Sequence, residues 1–172
     1  QHVVMGCCSN LVDFYDRLGV LDAIEWHRET SWAAPPGLPD RLGPSFLPAP
    51  LHFLGAFWRA RFLSRESKIA ISRAMYAIVR LGRTGRHEWR NRTYAAYLES
   101  LAQPQEAVEL FWEPLVTGAC NLSCGDVAAH LALQVVQEGF LAGKWNSAVG
   151  TPTTDLRSLY EPAAGLIEAA GG

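Results

Sequence analysis

Hydrophobic spacing changes period several times along this chain, and each change marks an element. From Asn10 to Leu18, Leu11, Phe14, Tyr15 and Leu18 recur at helical spacing, with Asn10 as cap and Gly19 as stop. Ile24 to Trp32 instead alternates. Ile24, Trp26, Arg28, Thr30 and Trp32 share one face and Glu25, His27, Glu29 and Ser31 the other, which is strand periodicity. Pro35-Pro36-Gly37 turns the chain, Arg41 to Leu47 is expected as a weaker second strand, and Pro48-Ala49-Pro50 closes this 24–50 hairpin. Helical spacing returns from Leu51. Ser64 caps a long helix with Ile71, Ala74, Met75, Ile78 and Val79 as its core stripe and Lys68, Ser72, Tyr76, Arg80 and Arg83 opposite; Gly82 and Gly85 end it. A short helix is expected around Tyr94 to Leu101. Pro104 then suits the first turn of a helix bearing Val108, Phe111, Trp112 and Leu115 at core spacing. Asp126 to Leu141 reads as the most buried helix, and Pro162 begins a last one with Leu166 and Ile167 inward. The expected fold is α+β, mainly α-helical with a small antiparallel sheet, and residues 51–142 form its helical part.

Two stretches break these patterns. Phe111-Trp112-Glu113-Pro114-Leu115-Val116-Thr117-Gly118-Ala119-Cys120-Asn121 puts two large aromatics, a carboxylate and a proline in one apolar run. A proline inside a helix loses a backbone hydrogen bond and clashes with the carbonyl four residues earlier, at about 3 kcal/mol. It also pushes its predecessor, here Glu113, away from α geometry. Such a distortion is kept where a kink aims side chains at a site, or where a helix end packs into a core; both readings stand. On the helix from Asp126 to Leu141, His130, Gln134, Gln137 and Glu138 fall on one stripe among apolar residues. A polar stripe there faces water, a hydrogen-bonding partner or a ligand cavity. Glu113 and Glu138 are candidate acid–base carboxylates, or partners for arginines.

Composition narrows the classes. The chain has 172 residues, 49% hydrophobic and 19% charged, enough for one well-cored domain and unlike a disordered segment. A net charge of −2 argues against nucleic acid. No apolar run approaches the ~20 residues that span a bilayer, although six Trp and seven Phe suit a greasy ligand or a membrane-surface contact. Cys7, Cys8, Cys120 and Cys124 lack common zinc spacing and read as reduced thiols of a cytosolic protein, with no metal expected. Glycine-rich phosphate loops, H-E-x-x-H and G-x-S-x-G are all missing.

Several runs together carry a resemblance. Gln1-His2 matches the end of a D-N-G-Q-H segment, followed in register by Gly6, Asn10-Leu11 and Leu18-Gly19. Leu47-Pro48-Ala49-Pro50-Leu51, Phe111-Trp112-Glu113-Pro114-Leu115, the run from Leu133 to Leu141 and the stretch from Gly150 to Tyr160 extend the match over nearly the whole chain. The sequence thereby resembles the hydroxysqualene dehydroxylases, or squalene-associated FAD-dependent desaturases, of the flavin amine oxidase and phytoene desaturase superfamily. Cys120-Asn121-Leu122 departs from the family's more usual Leu-Asn-Glu. The resemblance implies the central, substrate-binding region of a longer flavin amine oxidase-like enzyme, without the dinucleotide-binding βαβ unit and with residues 150–172 returning toward the FAD domain.

By resemblance, the whole enzyme replaces the hydroxyl of hydroxysqualene with hydride from reduced FAD, giving squalene for hopanoid synthesis. An acid must protonate the departing hydroxyl. Glu113 is the expected donor, with His2 as rival, and Gln1 and His2 are expected beside FAD. Phe111, Trp112, Leu115, Phe140 and Leu141 are the expected tunnel lining, and Gln134, Gln137 and Glu138 the polar contacts to substrate. This chain alone is expected neither to hold FAD nor to turn over substrate. Its expected partners are a long apolar isoprenoid and the flavin-binding portion of the same longer chain, in the cytoplasm with peripheral contact at the inner membrane. Two alternatives remain: a carotenoid or phytoene desaturase, and a helical lipid- or partner-binding module without chemistry.

Overall fold

A computed structural model describes residues 3–32, 39–169 and 171; Gln1, His2 and the Pro35-Pro36-Gly37 turn lie outside them. In chain order come β1 (Val4–Met5), α1 (Ser9–Arg17), β2 (Ile24–His27), β3 (Thr30–Trp32), β4 (Asp40–Leu42), α2 (Leu54–Arg59) and α3 (Arg65–Gly85). They are followed by α4 (Tyr94–Ser100), α5 (Gln105–Ala107), α6 (Glu113–Cys120), α7 (Ala129–Gln134), β5 (Val149–Pro152), α8 (Leu156–Tyr160) and α9 (Pro162–Ala169). The chain is thus mainly helical with a small antiparallel sheet. Two π-helical segments interrupt the helices, Val108–Trp112 between α5 and α6 and Val135–Leu141 after α7.

β5 is the middle strand of an antiparallel sheet ordered β1-β5-β2, with Val4 and Trp26 both opposite Gly150. A Cβ on Gly150 would lie 2.6 Å from Ile24 Cγ2 and 2.8 Å from Val4 Cγ1, so only glycine lets the two neighbouring side chains close over the strand. Val4, Ile24, Tyr15 and Leu159 form a small core beneath it. The expected strand from Ile24 to Trp32 is divided. β2 pairs with β5, the chain bends at Arg28, and β3 pairs with β4 in a separate sheet with Trp32 opposite Asp40. Alternation persists through the bend, so periodicity alone joins the two strands.

The larger core gathers α3, α4, α6, α7 and both π segments around the fully buried Ile78, Tyr94, Trp112, Val116 and Leu133. α3 begins as its sequence requires. Ser64 Oγ accepts the Ser67 N–H at 3.2 Å, and the Glu106 carboxylate accepts the hydroxyls of Ser64 and Ser67, which hold its pKa below the usual carboxylate range. Lys68 corrects its expected place on the solvent side. It is buried, and its Nζ donates to the carbonyls of Trp58, at 3.0 Å, and Ala60, closing the C-terminal end of α2. Gly82, at φ 67°, kinks α3 before its end at Gly85. Leu166 and Ile167 are 50% and 58% exposed, contrary to the inward orientation expected, because α9 packs chiefly on α8.

Pro114 produces a different distortion from the one expected. Glu113 keeps helical angles, φ −61° and ψ −51°, and the strain is absorbed one turn earlier in the π segment Val108–Trp112. Pro114 has no N–H for the carbonyl four residues before it, that of Leu110. The indole N–H of Trp32 donates to that oxygen at 2.8 Å. Trp32→Phe keeps the ring but removes the donor, and is expected to lower stability to urea by about 1–2 kcal/mol. The hydroxyl of Tyr94 makes the opposite case. It is buried without a hydrogen-bond partner among the described residues, and burial, then Cys124, hold its pKa well above the usual phenol range. Tyr94→Phe removes a polar group that gains nothing from folding, so urea unfolding of that variant is expected to show unchanged or increased stability.

Candidate apolar binding site

A cavity of about 460 Å³ opens between α3, the β3–β4 hairpin, the Pro50–Leu54 turn and the two π segments. That volume is in the usual range for small-molecule sites. Its floor is aromatic. Trp32, held by its bond to Leu110, lies stacked between Phe62 and Phe111, with ring centroids 5.6 and 5.5 Å away. Phe57 meets Phe111 edge-on at 5.7 Å, and Phe53 approaches Phe140 at 6.3 Å. Each π segment therefore supplies an aromatic ring to the same space, Phe111 from the first and Phe140 from the second. π turns recur at functional sites because the widened turn redirects side chains. Among the described residues, Thr30, Ser72 and Tyr76 are the only hydroxyl-bearing ones of the lining, and no charged side chain contributes to it. A shallower concavity of about 340 Å³ meets the first at Pro50, Val79 and Leu141 and extends toward Gly82 and Arg83.

The residues expected at the site divide into two groups. Phe111, Leu115, Phe140 and Leu141 line the cavity. Trp112 does not. One residue further round the helix than Phe111, it is fully buried against Tyr94, and its indole N–H donates to Gln103 Oε1 at 2.9 Å. Glu113 is also turned away. Its carboxylate accepts the Cys124 backbone N–H at 3.1 Å and the Thr117 hydroxyl at 3.4 Å, so it clamps the loop after α6 and is not placed as an acid for a ligand in the cavity. The same carboxylate and, above all, burial push the Cys124 thiol up.

The polar stripe after α7 resolves the same way. Gln134 is exposed to solvent. Gln137 Nε2 donates to the carbonyls of Ile78, at 3.1 Å, and Gly82, at 2.9 Å, while Arg86 Nη1 donates to Gln137 Oε1 at 3.2 Å and Glu138 Oε1 at 2.8 Å. These side chains satisfy the kink in α3. Glu138 lines neither concavity, and Gln137 reaches only the shallower one. Trp32, Phe53, Phe57, Met75 and Tyr76 also line the cavity, although none of them is expected at a site from the sequence. Met75 and Val79 did register as an apolar stripe, but periodicity cannot separate a core-facing stripe from one that borders a cavity.

No family model matches the chain, and no curated protein matches it. Among the described residues, no helix is long and apolar enough to cross a membrane, and no group of three or more His, Cys, Asp or Glu is placed to hold a metal. A flavin's pyrophosphate calls for cations or a helix N-terminus presenting free N–H groups. The apolar lining does not fit that group.

Directly behind the wall sits His52. It is fully buried next to the lining residue Phe53, with ring centroids 4.7 Å apart, and neither ring nitrogen has a hydrogen-bond partner in proper geometry among the described residues. Burial lowers its pKa from the ordinary 6.5, Lys144 lowers it further, and the Phe140 backbone opposes them in part. Below 6.5 the unfolded chain takes up a proton that the folded one resists. Stability is therefore whole above that pH and is lost as pH falls toward the depressed folded value. Urea titrations at stepped pH are expected to show this loss, and His52→Leu to flatten it.

Proposed function

We propose that this chain is the substrate-binding part of an FAD-dependent oxidoreductase of squalene and hopanoid biosynthesis, and that its cavity takes a long apolar isoprenoid. Hydroxysqualene is the substrate in this reading, with reductive dehydroxylation to squalene as the reaction. The observation that carries it is the aromatic, uncharged cavity to which both π segments contribute, one of them inside the Phe111–Leu115 run that resembles the hydroxysqualene dehydroxylases. An apolar chain gains ~25 cal/mol for each Å² withdrawn from water, and a lining of this kind rewards that burial without charging a desolvation cost to polar groups. Thr30, Ser72 and Tyr76 are sufficient to hydrogen-bond a single hydroxyl. FAD belongs to this reading as the redox group of the whole enzyme, held by another portion of it. The protein works in the cytoplasm and contacts the inner membrane peripherally.

One observation favours a second reading. Among the described residues the cavity lining contains no carboxylate or histidine, and Glu113 is engaged at the Cys124 backbone. A helical module that binds a lipid and does no chemistry requires nothing more.

Binding of squalene and hydroxysqualene, followed by native mass spectrometry and by the part of the tryptophan fluorescence change that is lost in Trp32→Phe, tests both. Saturable binding is expected, with Phe140→Ala weakening it about tenfold and Phe14→Ala, on the outside of α1, leaving it unchanged. A Phe140→Ala variant that binds as tightly as the original removes the cavity from consideration. Anaerobic conversion of hydroxysqualene by the longer enzyme that includes the flavin-binding portion, supplied with reduced flavin, distinguishes the enzyme from the module.

A further inference from the structure

We propose that the mouth of the cavity docks on an anionic bilayer surface. α3 packs Ile71, Ala74 and Ile78 inward, but its outer side is not the plain polar face of a solvated helix. Ile69, Tyr76 and Val79 are exposed there, and Tyr76 is 66% exposed while also lining the cavity. Arg65, Arg73, Arg80 and Arg83 are exposed among them. Helical winding brings Ile69, Arg73, Tyr76 and Arg80 onto one stripe, so cationic and apolar groups alternate along it. Glu66 is the one carboxylate of α3, and among the described residues no ion pair engages these four arginines. The chain as a whole carries −2, so this cationic face is a local asymmetry.

Across the opening, Leu51 and Leu54 line the cavity and are also exposed, and Trp58 continues their side of α2 at 44% exposure. The bond from Lys68 Nζ to the Trp58 carbonyl ties this edge to α3. The rim is therefore greasy on both sides and cationic on one. Nucleic acid would be recognised by the arginines without the apolar rim, and an apolar protein partner by the rim without four uncompensated charges. Anionic headgroups over hydrocarbon match both features at once, with arginine stems lying along apolar surface and their heads at phosphate depth. The proposal rests on the isoprenoid reading of the cavity, since a substrate dissolved in a bilayer enters from the bilayer.

Flotation of the full chain with vesicles tests it, using phosphatidylcholine alone and phosphatidylcholine with phosphatidylglycerol in equal parts. Partition onto the mixed vesicles, weakened by added salt and nearly lost on phosphatidylcholine alone, is the expected result. Arg73→Gln/Arg80→Gln is expected to lower that partition about twentyfold. Leu54→Ser/Trp58→Ser is expected to lower it as well, and Arg157→Gln, an exposed arginine on α8, to leave it unchanged, with circular dichroism confirming that each variant is folded. No partition onto anionic vesicles, equal partition onto both kinds, or an equal loss in Arg157→Gln overturns the proposal. Squalene binding measured without vesicles separates the two readings. Docking without squalene binding removes the isoprenoid reading, and squalene binding without docking removes this one.

Discussion

The bond on which the site depends runs from the indole N–H of Trp32 to the carbonyl of Leu110. Pro114 cannot supply the helical donor for that carbonyl, and an unpaired carbonyl in a buried setting costs more than a paired one contributes. The bond satisfies the oxygen and fixes a large ring between Phe62 and Phe111 at the base of the cavity. It also fastens the small β3–β4 sheet to the helical body. One missing N–H in α6 thereby sets where a strand from the first quarter of the chain must sit.

The rest of the core follows a similar logic of displaced hydrogen bonds. Gly82 breaks the ladder of α3, and the side chain of Gln137 bonds the carbonyls of Ile78 and Gly82. Arg86, just beyond the kink, bonds both Gln137 and Glu138 and holds the second π segment in register with α3. The two π segments are thus each secured by a side-chain hydrogen bond to backbone, one from Trp32 and one from Gln137. Their redirected aromatics, Phe111 and Phe140, meet in the cavity because both segments are held from outside their own helices.

Much of this fold is legible in the sequence where the signal is periodic and local. The Ser64 cap, the core stripe of α3, the bounds of α4 and the stop at Gly19 all follow from residues within a few positions of one another. Partners distant in sequence are not legible. Alternation from Ile24 to Trp32 gives no sign that β2 will pair with β5 and β3 with β4. Lys68 scores as solvent-facing by charge, yet the end of α2 supplies carbonyls that take its ammonium inside. The site shows the same split. Phe111, Leu115, Phe140 and Leu141 stand out as large apolar groups beside a proline or a polar stripe, whereas Trp32 becomes visible only once the orphaned Leu110 carbonyl is known.

Polar residues near the cavity show why residue type alone misassigns roles. Glu113, Gln137 and Glu138 have the chemistry of acid–base or substrate contacts, but each has a backbone or arginine partner within hydrogen-bond range that accounts for its presence. Releasing any of them toward a ligand would leave the Cys124 N–H, the carbonyls at the α3 kink or the Arg86 guanidinium without a partner. The cost of that falls on the segments that shape the cavity. An apolar ligand asks for no such release. The hydrogen-bond economy of the walls and the greasy character of the space they enclose therefore select the same class of occupant, one recognised by surface area and shape, with at most a single polar anchor at Thr30, Ser72 or Tyr76.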